Sequence, residues 1–315
     1  MAHLSDDSRG QLLLVAGLAL ALVFIGLALV VNSAIFTENL ASRGETAGAD
    51  GALAARAATE ANAGTAIRQA NYYNPSAPVD AFNRSLRNVS TQTEALSATS
   101  GTLSNVTYVD HRNGKRVSGA IDRADNDYTV ADGAERVPGA NGTRGLVFNS
   151  SDLPDESTPL VVMANDTTVT GDRNSWRARI WETSGEVHIK TFRNGTTASE
   201  NRTEHCTVPS SAANRIEVTA GLVNGQPCDA LRRNDSGANF WFGNGAGDEY
   251  DIEFKNTNGV SGEFEMVAYS DGGLSIPLTT LSDDAIYDAE VRFVYDGPDV
   301  WYNTTVRVAP GEPDA

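Results

Sequence analysis

Cysteine is the scarcest residue type with reactive chemistry in this chain. Only two are present, Cys206 and Cys228, and they lie about 22 residues apart. An even number of cysteines in an exported region permits one disulfide, which would close that loop and stabilise the fold by roughly 3 kcal/mol. The alternative is a pair of free buried thiols. We favour the disulfide, because little else explains cysteine appearing only at these two positions.

The histidines form no catalytic or metal-binding pattern. His205 beside Cys206 offers a Cys/His nucleophile pair in principle, but adjacent residues on a strand point to opposite faces. Neither a Gly-x-Ser-x-Gly elbow nor a His-Glu-x-x-His motif occurs. The four histidines stand far apart, at His3, His111, His188 and His205. We therefore predict no catalytic residues and no enzymatic activity.

Three other segments resemble ligand sites only in part. The glycine-rich segment 243–247 lies between two expected strands rather than opening a helix, so a hairpin loop is favoured over a phosphate cradle. A group of aspartates lacks the spacing of a calcium loop and is interpreted as a solvated acidic loop; its members are Asp122, Asp125, Asp127 and Asp132. The aromatic runs 240–242 and 301–302 favour core packing over a contact patch. No metal and no cofactor are predicted.

The charge balance is strongly acidic. The formal net charge is −17, with 24 basic against 41 acidic residues, and only three of the basic residues are lysine. Such a surface stays hydrated where concentrated salt shortens the Debye length to about 3 Å. A halophilic source is favoured, and the alternative is an acidic protein from a GC-rich genome. Nucleic acid is not predicted as a partner, because no basic stripe exists to neutralise phosphates.

The segment Leu12–Val31 is an uninterrupted apolar run of membrane-spanning length. At about 1.5 Å per residue it would span roughly 30 Å as a helix. The numbers of Lys and Arg residues near its two ends are equal, so they do not indicate which end of the segment lies inside. The Asn-x-Ser/Thr triplets that follow do indicate it, because such triplets are glycan acceptors only outside the membrane. The ten triplets begin at Asn83, Asn88, Asn105, Asn141, Asn149, Asn165, Asn194, Asn201, Asn234 and Asn303. We predict a single-pass protein of the cytoplasmic membrane with its N-terminus inside.

Three interpretations of the apolar run remain open at this point. A removable secretory signal would have a shorter core and a basic front. An uncleaved anchor would need only the run itself. In the third interpretation, a short polar leader ending in Arg9-Gly10 precedes the apolar helix, and a peptidase removes that leader.

The third interpretation rests on a resemblance to the N-termini of archaeal type IV pilins and archaellins. The blocks RGQLLLVAGLALALVFIGLALVVNSAIFTENLASR and TTVRVAPGEPDA further resemble uncharacterised pilin-like membrane proteins of halophilic archaea. This resemblance implies cleavage between Gly10 and Gln11, after which the apolar helix packs into a filament. The family's usual acidic residue five positions into the mature chain is replaced by Val15, which favours a minor or pilin-like subunit, or an uncleaved relative.

The remaining chain divides into a helical and a β-rich part. Alanines at spacings of three to four predict a helix that ends by Asn74-Pro75, and a second helix is expected from Val79 to Leu96. From Val106 onward, short alternating runs predict an antiparallel β-sandwich, with a hairpin turn at 183–185. The polar stretch from Asp110 to Asn141 is expected to be a long surface excursion.

The expected fold class is therefore α+β, with an N-terminal transmembrane helix and an alanine-rich stem helix before a mainly antiparallel β-sandwich. The predicted divisions are a cytoplasmic leader (1–10), a transmembrane helix (11–32), a helical stalk (33–105) and an extracytoplasmic β-rich domain (106–315).

The predicted function is that of a non-enzymatic, pilin-like cell-surface subunit. Its expected partners are membrane lipid and other pilin-like subunits or envelope proteins. The alternative is a membrane-anchored β-domain that binds a surface ligand or a neighbouring envelope protein. An exported hydrolase would need a set of catalytic residues that the chain does not offer.

Overall fold

The computed structural model of the protein describes most of the chain after residue 48. The described ranges are 49–99, 101–123, 126–136, 142–167, 174–194, 202–232, 242–269, 274–277, 280–298 and 300–312. In these ranges no helix is both long and apolar enough to cross a membrane. The leader, the Gly10-Gln11 junction and the segment Leu12–Val31 lie outside them.

Two helices precede the strands. Helix α1 covers 49–73 of the described residues, and helix α2 runs over Pro78–Thr99. Helix α1 forms readily because it is rich in alanine, the residue with the highest helix propensity. The helix ends before Asn74, since a residue that precedes proline avoids the helical region. Pro78 occupies the first turn of α2, where its missing N–H costs no hydrogen bond. The predicted second helix is confirmed.

The strands form two antiparallel sheets. Their bounds are β1 Leu103–Ala120, β2 Tyr128–Glu135, β3 Thr143–Asp152, β4 Leu160–Asp166, β5 Ser175–Thr183, β6 Glu186–Asn194, β7 Arg202–Pro209, β8 Asn214–Glu217, β9 Leu222–Val223, β10 Gln226–Pro227, β11 Glu249–Lys255, β12 Ser261–Ala268, β13 Leu281–Asp296 and β14 Trp301–Val308. The larger sheet has the order β10-β9-β8-β3-β12-β1-β13-β14, and the smaller one β2-β11-β4-β5-β6-β7. A 3₁₀ turn, Asp229–Leu231, follows β10.

The two sheets pack face to face around a shared apolar core. On β5 the alternating residues Trp176, Ala178 and Ile180 are fully buried, as their period of two predicts. Across the interface, the ring of Phe254 lies 5.1 Å from that of Phe148 and 4.9 Å from that of Phe264, measured between centroids. The prediction of an α+β protein with a mainly antiparallel β-sheet domain is confirmed.

A second core joins both helices to the larger sheet. Its buried residues come from α1, α2, β1, β13 and β14, and include Ala63, Ala66, Ile67, Ala70, Phe82, Leu86, Ile286, Ala289, Val291, Phe293, Val306 and Val308. The buried Asn71 fixes the end of α1, because its side-chain amide donates to the Ile286 carbonyl (2.9 Å) and accepts from the Ile286 N–H (2.8 Å). The described helices and the sheet therefore form one packed unit.

The predicted surface excursion from Asp110 to Asn141 was wrong. Strand β1 continues to Ala120, and β2 follows within the same stretch. The polarity of β1 is accommodated because its charged residues meet opposite charges on the adjoining strands. Lys115 contacts Asp284 of β13 at 2.5 Å, and Arg116 contacts Glu265 of β12 at 2.8 Å.

Candidate functional site

The two cysteines form the expected disulfide. Cys206 lies on β7, at the edge of the smaller sheet, and Cys228 follows β10, at the edge of the larger one. Their Cα atoms are 5.6 Å apart, which is ordinary for a disulfide. The bond therefore ties the edge of the smaller sheet to the edge of the larger one. His205 lies next to Cys206 on the same strand but is exposed on the outer face, so no Cys/His nucleophile pair forms.

Two histidines that are distant in the sequence stack together on the outer face of the smaller sheet. The rings of Trp181, His188 and His205 are parallel within 9°, with centroids 5.3 to 5.7 Å apart. Partial desolvation, reinforced by the neighbouring His188, lowers the pKa of the otherwise exposed His205. Sequence reasoning missed this stack, because only the register of β5, β6 and β7 brings the three rings together. Within the described residues, no group of three or more His, Cys, Asp or Glu side chains is placed to hold a metal ion.

The predicted acidic loop disperses in the fold. Asp127 accepts a hydrogen bond from the Asn256 N–H at 3.0 Å, whereas Asp132 lies beside Asp251 of β11. Asp122 is exposed, and Asp125 falls outside the described residues. Burial, together with the Asp132 carboxyl group, raises the pKa of Asp251 to about 6. Asp132 thus forms a carboxyl pair with Asp251, and Asp251 keeps its proton up to about pH 6.

This carboxyl pair predicts a pH-dependent stability. A carboxyl group whose pKa is higher in the folded state contributes stability that is complete below the unfolded value of about 4. For Asp251 that contribution is lost as pH rises through about 6. We expect the wild type to gain stability relative to Asp251→Asn as pH falls from 6 to 4, and Asp132→Asn to reduce that gain. Denaturant midpoints measured across this range test it, and parallel curves for wild type and Asp251→Asn would contradict it.

The glycine-rich segment 243–247 serves close packing. Gly243 and Gly245 adopt positive φ angles of 77° and 96°. A Cβ atom on Gly247 would lie 2.3 Å from the Asp166 carboxylate, and one on Gly245 would meet the side chain of Arg193. Phe242 is buried in the core, whereas 240 and 241 lie outside the described residues. Trp301 of the second aromatic run is 66% exposed, contrary to the expected core packing.

The predicted glycan acceptors differ in accessibility. Asn88, Asn105, Asn149 and Asn303 are exposed, and Asn83 and Asn165 are partly exposed. Asn141, Asn201, Asn234 and the side chain of Asn194 lie outside the described part of the chain. The Asn105 amide donates to Glu94 at 2.7 Å, and the Asn165 Oδ1 atom is buried. Exposure therefore favours Asn88, Asn149 and Asn303 as attachment sites.

A groove of about 780 Å³, with a mixed polar and apolar lining, is the strongest candidate for a binding site. It lies between the last turns of α1 and the outer face of the larger sheet, where β3, β8 and β12 meet the turn at 310–311. Its volume is within the roughly 300–1,000 Å³ of sites that hold small molecules. Sequence reasoning missed the groove, because its walls come from five segments that are distant in the sequence. The adjacent Tyr72 and Tyr73 at the end of α1 were the one feature of the sequence that could have indicated a binding surface here.

Aromatic rings and planar polar side chains line this groove. Tyr72 and Tyr73 are 56% and 73% exposed, although most large apolar groups of the described chain are covered. The Arg116 guanidinium lies 4.8 Å from the centre of the Tyr72 ring. On the opposite wall, Arg215 contacts Glu217 at 3.0 Å and the Asn149 Oδ1 atom at 3.3 Å. These groups can stack on a ring and exchange hydrogen bonds with hydroxyl groups.

The floor of the groove is fixed by Arg144. This guanidinium is buried and donates to the carbonyl groups of Ile286, Tyr287 and Pro310. Burial lowers its pKa to about 10. Because its donors are directed at backbone oxygens, Arg144 holds β13 and the C-terminal turn together rather than offering a free cation to a ligand.

These features define an α+β protein of two antiparallel sheets, with two helices packed on the larger sheet, a disulfide between the sheet edges and a groove beside α1. The chain belongs to the family of unknown function DUF7261, whose profile matches residues 6–182. That range contains the apolar segment Leu12–Val31, both helices and strands β1 to β4. Comparison with curated proteins and with solved structures found no match.

Proposed function

We propose that the protein is a non-enzymatic, pilin-like subunit of the cell surface. The segment Leu12–Val31 holds it at the cytoplasmic membrane, and the chain that follows lies outside. The disulfide between Cys206 and Cys228 is the main support, because structural disulfides persist in oxidising compartments. The exposed acceptors at Asn88, Asn149 and Asn303 agree with this placement.

The packing of α1 supports a structural role. The helix is locked to the larger sheet by its alanine-rich face and by the Asn71 clamp on Ile286. A β-domain fixed to a helix in this way keeps a defined orientation relative to that helix. A surface subunit that is presented or assembled through its N-terminal segment needs this rigidity.

Processing of the leader tests the proposal. We expect intact mass and N-terminal sequencing of protein from its native membrane to give a mature chain that begins at Gln11. The variant Gly10→Leu should retain all ten leader residues, because the peptidase that processes pilins of the kind this N-terminus resembles cuts after glycine. Gly17→Leu, inside the apolar segment, is the matched control and should be processed normally. A wild-type chain that keeps residues 1–10 would overturn the pilin-like part and leave an anchored domain.

The groove favours a second candidate function, an anchored β-domain that binds a ligand at the cell surface. Its exposed Tyr72 and Tyr73, with Arg215 and Glu217 opposite, offer the stacking and hydrogen-bonding groups that a saccharide needs. Such a domain has no need of leader processing. The same mass measurement therefore separates the two candidates.

A further inference from the structure

We propose that the groove beside α1 holds the protein's own N-linked glycan, attached at Asn149. The inference rests on the proposed function, because a glycan at this position requires the domain to lie outside the membrane. It goes further by naming one acceptor among the ten and the surface that its sugar covers.

The first step is the position of the acceptor. Asn149, Ser150 and Ser151 form an acceptor triplet on β3, and Asn149 is exposed on the outer face of the larger sheet. Asn149 lines the groove, whereas the other five acceptors with described side chains do not. A sugar on Asn149 therefore starts inside the groove rather than on open surface.

The second step is the state of the attachment atom. The Asn149 Oδ1 atom accepts a hydrogen bond from Arg215, which fixes the amide while its Nδ2 atom makes no hydrogen bond to the described residues. Nδ2 is the atom that carries the sugar. In Asn105 the same atom is occupied, since it donates to Glu94 at 2.7 Å.

The third step is the chemistry of the opposite wall. Tyr72 and Tyr73 lie with their ring centroids 4.8 Å apart, and both remain largely exposed at the end of α1. Exposed apolar surface that lines a groove is typical of ligand-binding sites. Sugar rings present C–H faces to aromatic rings and hydroxyl groups to planar polar side chains such as Arg215 and Glu217. A glycan on Asn149 supplies both within one molecule.

The test removes the sugar without altering the groove. Ser151→Ala destroys the triplet while Asn149 and its contact with Arg215 remain. Thr305→Ala destroys the triplet at Asn303, on β14, and is the matched control. Full-length proteins are purified from the native membrane, their occupancy at Asn149 and Asn303 is measured by peptide mass spectrometry, and tyrosine nitration by tetranitromethane is followed for each peptide.

We expect wild-type Asn149 to carry sugar and nitration of Tyr72 and Tyr73 to be several-fold faster in Ser151→Ala than in wild type. Thr305→Ala should leave their rate unchanged, and Tyr295, outside the groove, should react equally in all three proteins. Asn149→Gln should repeat the effect of Ser151→Ala.

Three results would overturn the inference. One is an Asn149 without sugar while Asn88 or Asn303 is modified, which leaves the proposed export intact. Another is equal nitration of Tyr72 and Tyr73 in wild type and Ser151→Ala. The third is the absence of sugar from every acceptor, which excludes the glycan; protease accessibility of the β-domain in intact cells then separately decides whether the domain is outside.

Discussion

Replacing Asp288 with asparagine is expected to lower the free energy of unfolding by about 3–5 kcal/mol, because it removes one partner of a buried ionic network. The Asp288 side chain is only 3% exposed and contacts the guanidinium groups of Arg112 and Arg307. The Arg112 Nε atom lies 3.0 and 2.9 Å from the two carboxylate oxygens. Asparagine has nearly the same shape but carries no charge to balance these arginines.

The severity of this change follows from the arginines that remain. Burial opposes the charge of Arg307, yet its hydrogen bonds to Glu312 and Asp288 raise its pKa, so it stays a cation. After the substitution Arg307 would keep its contact with Glu312 at 2.6 Å, and Arg112 would lose its contact with Asp288. Two partly buried positive groups would then lie side by side.

Asp284→Asn is the matched control for this prediction. Asp284 also lies on β13 and also pairs with a basic residue of β1, Lys115. It is 69% exposed, and surface pairs contribute at most about 1 kcal/mol. Denaturant titration of the full-length variants, followed by tryptophan fluorescence, measures both losses. Similar losses for Asp288→Asn and Asp284→Asn would show that the cost of burying the Asp288 charge cancels its attraction to the arginines.

Local sequence patterns correctly predicted those features that depend on a single strand, helix or turn. The alternation of Trp176, Ala178 and Ile180 predicted the inner face of β5, because side chains on a strand repeat every two residues. The hairpin turn at 183–185 was predicted in the same way, and Ser184 and Gly185 adopt the positive φ angles that a tight turn requires. Asn74-Pro75 likewise predicted the end of α1.

Features that depend on distant residues were not predictable from such patterns. Strand β1 is polar because Arg112 meets Asp288, 176 residues further along the chain, and no local alternation records that pairing. The stack of His188 and His205 depends on the register of β6 with β7. In the groove, Asn149 was recognisable as an acceptor, but its place opposite Tyr72 follows from the docking of α1 on the larger sheet.

The disulfide was predictable because the chain contains only two cysteines. Its effect on stability follows from the length of the loop that it closes. We expect the double variant Cys206→Ala/Cys228→Ala to lose roughly 3 kcal/mol of unfolding free energy, because the reduced chain regains the freedom of a 22-residue loop. The loss should appear first at the edges that the bond joins. Strand β7 ends the smaller sheet, and the short strands β9 and β10 end the larger one.

A reductant provides the control for this prediction. Dithiothreitol should shift the denaturant midpoint of the wild type toward that of the double variant and leave the double variant unchanged. Alkylation of the unreduced, unfolded wild type should label no thiol. Equal midpoints of the wild type with and without reductant, together with two labelled thiols, would mean that Cys206 and Cys228 are free in the native protein. That result would also remove the main support for placing the β-domain outside the membrane, since the argument for an oxidising compartment depends on this bond.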